Sequence, residues 1–272
     1  MLRSFNTAIS GLQQFQTEID VVGNNIANVN TTGFKDARTD FMDSFSQALA
    51  GSNAQVGSGV SLAGISSNFN QGTIASTAVG TDLAINGQGF FMVRNTADSS
   101  QYATRAGNFH VDTSNYLVDS GGMRVQGFSD AGLSTRSDLQ VDGTGAPATT
   151  AVGTTVQSFS IDQAGFINVK MTDGTTFVRG QVLLQKFSDP SQLVKEGSNR
   201  YSGMAAAGPL AQTEAPQSNG LGLVQSGALE MSNVDLTTEM TNLIIAQRSF
   251  QANSSIIKTS DELMQEIVGL KR

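Results

Sequence analysis

The chain has 272 residues, a net charge of −7 and only 14% charged side chains, with no run of either sign. It is long enough for one or two domains with real cores, and it has no basic patch or polybasic helix suited to nucleic acid or anionic lipid. Without cysteine it has no disulfide framework, thiol nucleophile or thiolate metal site, and no apolar run approaches the roughly 20 residues that cross a bilayer.

The first stretch, residues 1–29, reads as a helix. Its apolar residues fall at Met1, Phe5, Ala8, Leu12, Phe15, Ile19, Val22, Ile26 and Val29. After the first step of four the spacing alternates three and four, a repeat of seven whose narrow stripe wants another helix against it. Gln13, Gln14, Gln16, Thr17, Glu18 and Asp20 fall off that stripe. Gly11 and Gly23 each cost about 1 kcal/mol relative to Ala inside a helix. The segment is therefore expected to be largely disordered in a free monomer and to fold when packed. Its start lacks the apolar core and cleavage site of a secretory signal.

Next comes Asn24-Asn25-Ile26-Ala27-Asn28-Val29-Asn30-Thr31-Thr32-Gly33-Phe34-Lys35, where Gly33 is a natural reversal. Residues 36–49 predict a short helix from Phe41, Phe45 and Leu49 at spacing four, and 51–59 a polar loop. From residue 60 the pattern changes to period two, with strands predicted at 60–66, 83–85, 90–94, 102–104, 109–111, 116–118 and 124–127. A loose stretch covers 129–155, and strands resume at 158–161, 167–171, 176–178 and 181–186. Closely spaced strands with 29 glycines in the chain argue for an antiparallel β domain. Residues 204–220 read as an extended loop.

A second helix closes the chain, with Asn233 or Asp235 as N-cap, Glu239 near its positive end, and Lys271 and Arg272 at its negative end. Leu236, Leu243, Phe250, Ile257 and Met264 repeat every seven residues. The companion line is mixed: Met240 and Val268 are apolar, whereas Gln247, Ser254 and Asp261 are not. The fold class is α+β: long N- and C-terminal helices pair as a coiled coil around a central antiparallel all-β domain. The domains read as 1–30 with 229–272 for the helices, 31–75 as a connecting segment and 76–228 for the β domain.

Candidate chemistry is sparse. The single histidine, His110, sits in a predicted strand and has no second histidine for a metal and no serine partner with local support. Asp112, Asp119, Asp162 and Asp173 lie near predicted turns, where aspartate stabilises the turn itself, and no pair stands out as a glycosidase dyad. Gly57-Ser58-Gly59 and Gly220-Leu221-Gly222 lack the rest of a phosphate-binding loop. No catalytic residue, metal ligand or cofactor is expected.

Three blocks of sequence resemble the flagellar rod and hook family, the axial proteins of the bacterial flagellum. One runs from Ser10-Gly11-Leu12 through Asn24, Asn25, Ala27 and Asn28 to Gly33 and Phe34. Another is Asp82-Leu83-Ala84-Ile85-Asn86-Gly87-Gln88-Gly89-Phe90-Phe91, followed by Tyr102-Ala103-Thr104-Arg105-Ala106-Gly107-Asn108-Phe109. The last runs from Ser226-Gly227-Ala228-Leu229-Glu230 through Asp235-Leu236 and Ala246-Gln247-Arg248 to Thr259-Ser260-Asp261-Glu262. Gly227–Leu236 and Ala246–Asn253 look most like the hook protein, and the short loop after Phe45 lacks the insertion expected of a distal rod protein, although 129–155 is too short for the outer domain typical of hooks.

The resemblance implies a homopolymer: a hollow helical tube with the terminal helices as inner wall around an export channel. It implies export through the flagellar type III apparatus without a cleaved signal, and placement in the basal body or hook outside the cell. Adjacent rod, hook-cap and hook–filament junction proteins would be neighbours, with no nucleic acid and no membrane insertion. The expected assembly seam is Phe5, Ala8, Leu12, Phe15, Ile19, Val22 and Ile26 on the first helix. On the second it is Leu236, Met240, Leu243, Phe250, Ile257 and Met264. The first expectation is a short hook protein, a flexible joint whose polar, Gly-rich interfaces slide as it bends. The alternatives are a distal rod protein, a secreted polysaccharide-active β enzyme with a clustered acidic cleft, and a monomeric binding module with ordered ends.

Overall fold

The computed structural model describes residues 2–44, 46–48, 55–147, 154–209 and 213–270. Helix α1 spans Leu2–Ala27 and helix α2 spans Leu236–Leu270, with antiparallel strands between them. No helix among the described residues is long and apolar enough to cross a membrane. The chain divides into two compact units, one of residues 1–29, 35–68 and 234–272, the other of residues 30–34 and 69–233.

In the helical unit α1 and α2 pack on one another, and α1 also packs on a strand pair. That pair, Ala37–Asp43 with Val60–Ser67, replaces the helix predicted over 36–49. Phe41 does not share a helix face: its ring meets Phe15 of α1 edge-on at 6.1 Å. A bulge between Asp40 and Phe41 shifts the pairing, and Ser66 Oγ ties the two strands by accepting from Arg38 Nε and donating to Asp40. Phe45 and Leu49 lie outside the described residues, as do Met1, Lys271 and Arg272. Of the predicted loop 51–59, Gln55–Gly57 is a strand paired with Ser46–Ala48.

The β unit is built on one antiparallel sheet. Its main path runs Val156–Ile161, Phe166–Met171, Thr176–Val182, Arg124–Phe128, Phe90–Arg94, Gln101–Thr104, Arg200–Ser202 and Val194–Gly197. Alternation along the central strand feeds two cores. Phe91 and Val93 join Leu83, Ile85, Leu117, Val125, Ile167 and Val182, all fully buried. Phe90 and Met92 face the other way, onto Phe187, Leu193 and Tyr201. Two small pairings complete the unit: Leu83–Asn86 with Leu223–Ser226, and Ile74–Ser76 with Ala228–Glu230.

The predicted strands are present with small shifts in their ends. The runs 176–178 and 181–186 become Thr176–Val182 and Leu184–Gln185, and the loose stretch 129–155 contains the strand Arg136–Asp138. Val194–Gly197 is exposed along its length and carries no alternation, so periodicity gave no sign of it. The four turn aspartates hold their own turns. Asp112, for example, accepts from Ser114 N and Tyr116 N, and Asp162 from Ala164 N and Phe166 N.

Candidate assembly surfaces

The two helices run antiparallel. A methyl group on Gly11 would stand 2.7 Å from Asn253 Nδ2, and Asn25 hydrogen-bonds to the Glu239 carboxylate. Fourteen residues forward on α1 thus match fourteen back on α2, which places Glu18 at the level of Ala246. The innermost line of the pair is Gly11, Glu18 and Asn25 on one side and Asn253, Ala246 and Glu239 on the other. It is small and polar. Asn25 is 1% exposed, Ala246 0% and Glu239 8%.

This geometry redistributes the expected seam. Ala8 and Val22 are buried, Leu12, Phe15, Ile19 and Ile26 are half-buried, and Phe5 is exposed. On α2, Leu243, Phe250 and Ile257 are half-buried beside the inner line, whereas Leu236, Met240 and Met264 are exposed. The companion line of α2 is shifted by one residue, from Met240, Gln247, Ser254 and Asp261 to Glu239, Ala246, Asn253 and Ser260. Apolar spacing pointed one position away because the residues that permit close approach are small or amide-bearing. Glu18, which the stripe left out, lies on the packed face.

α2 carries a second apolar line that the heptad does not include. Ile245, Ile256, Leu263 and Ile267 recur on one side of the helix and are 44–56% exposed. Their steps of eleven, seven and four were available as a signal in the sequence.

Asn25 anchors the unit locally. Its Nδ2 donates to Ala37 O at 2.8 Å and its Oδ1 accepts from Ala37 N at 3.1 Å, so it also fixes the first residue of the strand pair. Asn28 closes α1 by donating from Nδ2 to Asn24 O at 2.9 Å; Asn24 and Ala27 are exposed. At the head of α2, Asp235 caps the backbone N–H groups of Thr237 and Thr238. Burial raises the pKa of Glu239, and the negative Asp36 and Asp235 add to the rise. Its Oε2 is buried with no hydrogen-bond partner. Burial likewise raises Glu18.

The three resembling blocks converge within the β unit. Glu230 accepts from Arg105 Nη1 at 3.2 Å and from Gly72 N at 3.0 Å, and Arg105 Nη2 donates to Gly87 O at 3.0 Å. Glu230 O accepts from Gly33 N at 2.8 Å. Gly33 has φ +67°, and a Cβ there would lie 2.5 Å from Ala106 N, so the turn needs glycine on both counts. Phe34 is buried beneath the Lys195 ammonium, 4.9 Å from its ring centroid. Arg105 also sits over the Phe90 ring at 5.1 Å.

A cleft of the β unit, about 760 Å³, has Asp142 as the one carboxylate among the described residues lining it. Arg179 and Thr144 hold that carboxylate, so the cleft offers no acidic pair for glycoside hydrolysis. His110 is exposed at a strand end. Among the described residues no three His, Cys, Asp or Glu side chains gather as a metal site.

Three families match along the chain. Residues 5–35 match "Flagella basal body rod protein", residues 84–169 "Flagellar hook protein FlgE/F/G D1 domain", and residues 225–270 "Flagellar basal body rod FlgEFG protein C-terminal". The flagellar basal-body rod protein FlgG of Bacillus subtilis is 42% identical over 283 residues, covering all of both chains. FlgG of Borreliella burgdorferi is 34% identical over 286 residues, again covering both. The flagellar hook protein FlgE of the same organism is 26% identical over an alignment of 444 residues. A solved structure of the Helicobacter pylori hook protein FlgE2 aligns with 48% of this chain and 39% of that chain, at 13% identity and a TM-score of 0.24.

Proposed function

The chain belongs to the flagellar rod and hook family, and within it we propose that it is a rod subunit, a structural protein of the basal-body drive shaft rather than the hook joint first expected. One observation carries this reading. The match to a rod protein at 42% identity is end to end and nearly length-for-length, 283 aligned residues for 272. The hook alignment stretches to 444 residues at 26% identity. Between Phe128 and Val156 the described residues hold one short strand, Arg136–Asp138, which leaves no place for an inserted outer domain.

Subunits of this kind polymerise into a helical tube. In it, α1 and α2 pair as a coiled coil with a polar, small-residue seam and line the export channel. Ala8, Leu12, Phe15, Ile19, Val22 and Ile26 meet Leu243, Phe250 and Ile257 within a subunit. Phe5, Leu236, Met240 and Met264, exposed in the single chain, meet neighbouring copies, together with the line through Ile245, Ile256, Leu263 and Ile267. Export without a cleaved signal, adjacent rod proteins as neighbours, and the type III apparatus as delivery route complete the reading.

Electron microscopy of concentrated protein tests it, alongside a version lacking residues 1–29. Straight tubes from the intact chain, lost on truncation, are the expected result. Curved tubes would restore the hook reading, and a chain that stays monomeric with ordered ends would support a binding module.

A further inference from the structure

We propose that the pairing of α1 with α2 is proton-linked through Glu18 and Glu239, so that the helical seam tightens as pH falls and loosens as it rises. The proposal rests on the rod reading only in its consequence for assembly. Its physical basis lies within the helical unit.

Two carboxyl groups occupy the inner line of the helix pair, where the apolar repeat would place none. Glu239 is 8% exposed, and its Oε2 has no hydrogen-bond partner. An ionised oxygen buried without a donor is costly. Glu18 stands two turns along the same line, level with Ala246, which is fully buried and offers nothing polar from its side chain.

The groups around Glu239 do not neutralise it. α1 presents Asn25, whose amide supplies one hydrogen bond, and the segment after α1 presents Asp36. The start of α2 contributes Asp235, already engaged as the helix cap. The basic residues of the adjoining segment are Lys35, itself fully buried and not among the groups acting on Glu239, and Arg38, which pairs with Asp40 at the surface. The strand pair against α1 adds only Asp40 and Asp43 as further acids.

Burial raises both carboxyl groups above their ordinary value of 4.5 in the paired state. A raised folded-state pKa contributes stability that is fully present below the unfolded value and lost as pH rises through the folded one. Pairing is therefore strongest below 4.5 and weakens above it, until both groups are ionised. Polymerisation that needs paired helices inherits the same dependence.

Two measurements on the full chain test this. In the first, carbon NMR follows the Glu18 and Glu239 carboxyl groups through a pH titration of the intact protein. Midpoints above the ordinary value are expected; midpoints at or below it overturn the proposal even if every variant misfolds. In the second, the thermal loss of helix is followed by circular dichroism from about pH 4 to about pH 8, for the wild type and the Glu18→Gln, Glu239→Gln double variant. The wild-type midpoint is expected to fall as pH rises while the double variant holds level. Equal slopes overturn the proposal. Sedimentation of assembled material at each pH separates the two readings. A pH-dependent melt without tubes at any pH supports the proton linkage and counts against the rod subunit. Tubes with a pH-independent melt do the reverse.

Discussion

The guanidinium of Arg105 and the carboxylate of Glu230, 125 residues apart in sequence, meet at 3.2 Å with side chains 5% and 0% exposed. Removing one partner strands a buried charge, which costs about 3–5 kcal/mol. Glu230→Ala should therefore lower the unfolding free energy of the β unit by that order, read from denaturant melts. It should also release Gly72, whose N–H loses its acceptor. Arg105→Met with Glu230→Leu, removing both charges, should recover part of the loss.

Two glycines of α1 predict opposite outcomes. Gly23 has nothing within 4 Å of an added Cβ, so Gly23→Ala should stabilise the helical unit by about 0.5–1 kcal/mol through backbone entropy alone. Gly11→Leu should separate the helices, because even a Cβ there meets Asn253 at 2.7 Å. Helix melting of the two variants compares them directly.

Asn25→Ala should cost more than its surface neighbours. It leaves half-buried Ala37 N and Ala37 O and the Glu239 carboxylate without the bonds that Asn25 makes, for a total of about 1–3 kcal/mol. Asn24→Ala, at an exposed position where only the backbone carbonyl is used, should change the melt by less than about 0.5 kcal/mol. Protease susceptibility near Ala37 offers an independent reading of the same difference.

Asp138 predicts acid sensitivity in the β unit. Burial alone would raise its pKa, but hydrogen bonds from Arg94, Gln126 and Arg124 outweigh that and hold it below the ordinary 3.8. A depressed carboxyl contributes stability above the unfolded value and loses it as pH falls through the folded one. The wild type should therefore lose stability below 3.8, and Asp138→Asn should show a shallower acid limb in the same chemical melts.

The sequence disclosed most where a pattern is local. Period-two runs located Phe90–Arg94 and Phe166–Met171, and Asp235 announced the start of α2. It misled at 36–49, where Phe41, Phe45 and Leu49 share a helical spacing while the partner that makes a strand, Val60–Ser67, lies beyond the window. Helix pairing was legible from two heptads, but its register was not. Asn25, Glu239, Ala246 and Asn253 are small or polar, and an apolar stripe passes beside them. Arg105 and Glu230 gave no sign of one another, since nothing local marks a buried ion pair. The choice of hook over rod rested on motifs in the last block and on the short loop after Phe45, whereas overall length pointed the other way and agrees with the rod relatives.

Gly11 packs on Asn253, so the helix pair joins parts of the chain more than two hundred residues apart. Whenever the chain emerges N-terminus first, α1 is out well before its partner α2. In that interval α1 has the strand pair Ala37–Asp43 with Val60–Ser67 to pack on but not α2, and a helix with two interior glycines is poorly held without its partner. The β unit closes late too, since the Glu230 contacts to Gly33, Gly72 and Arg105 form only once residue 230 is out, just ahead of α2. Topology therefore sets one constraint on the order of events: the face of α1 that receives α2 stays uncovered until residues 236–270 are available.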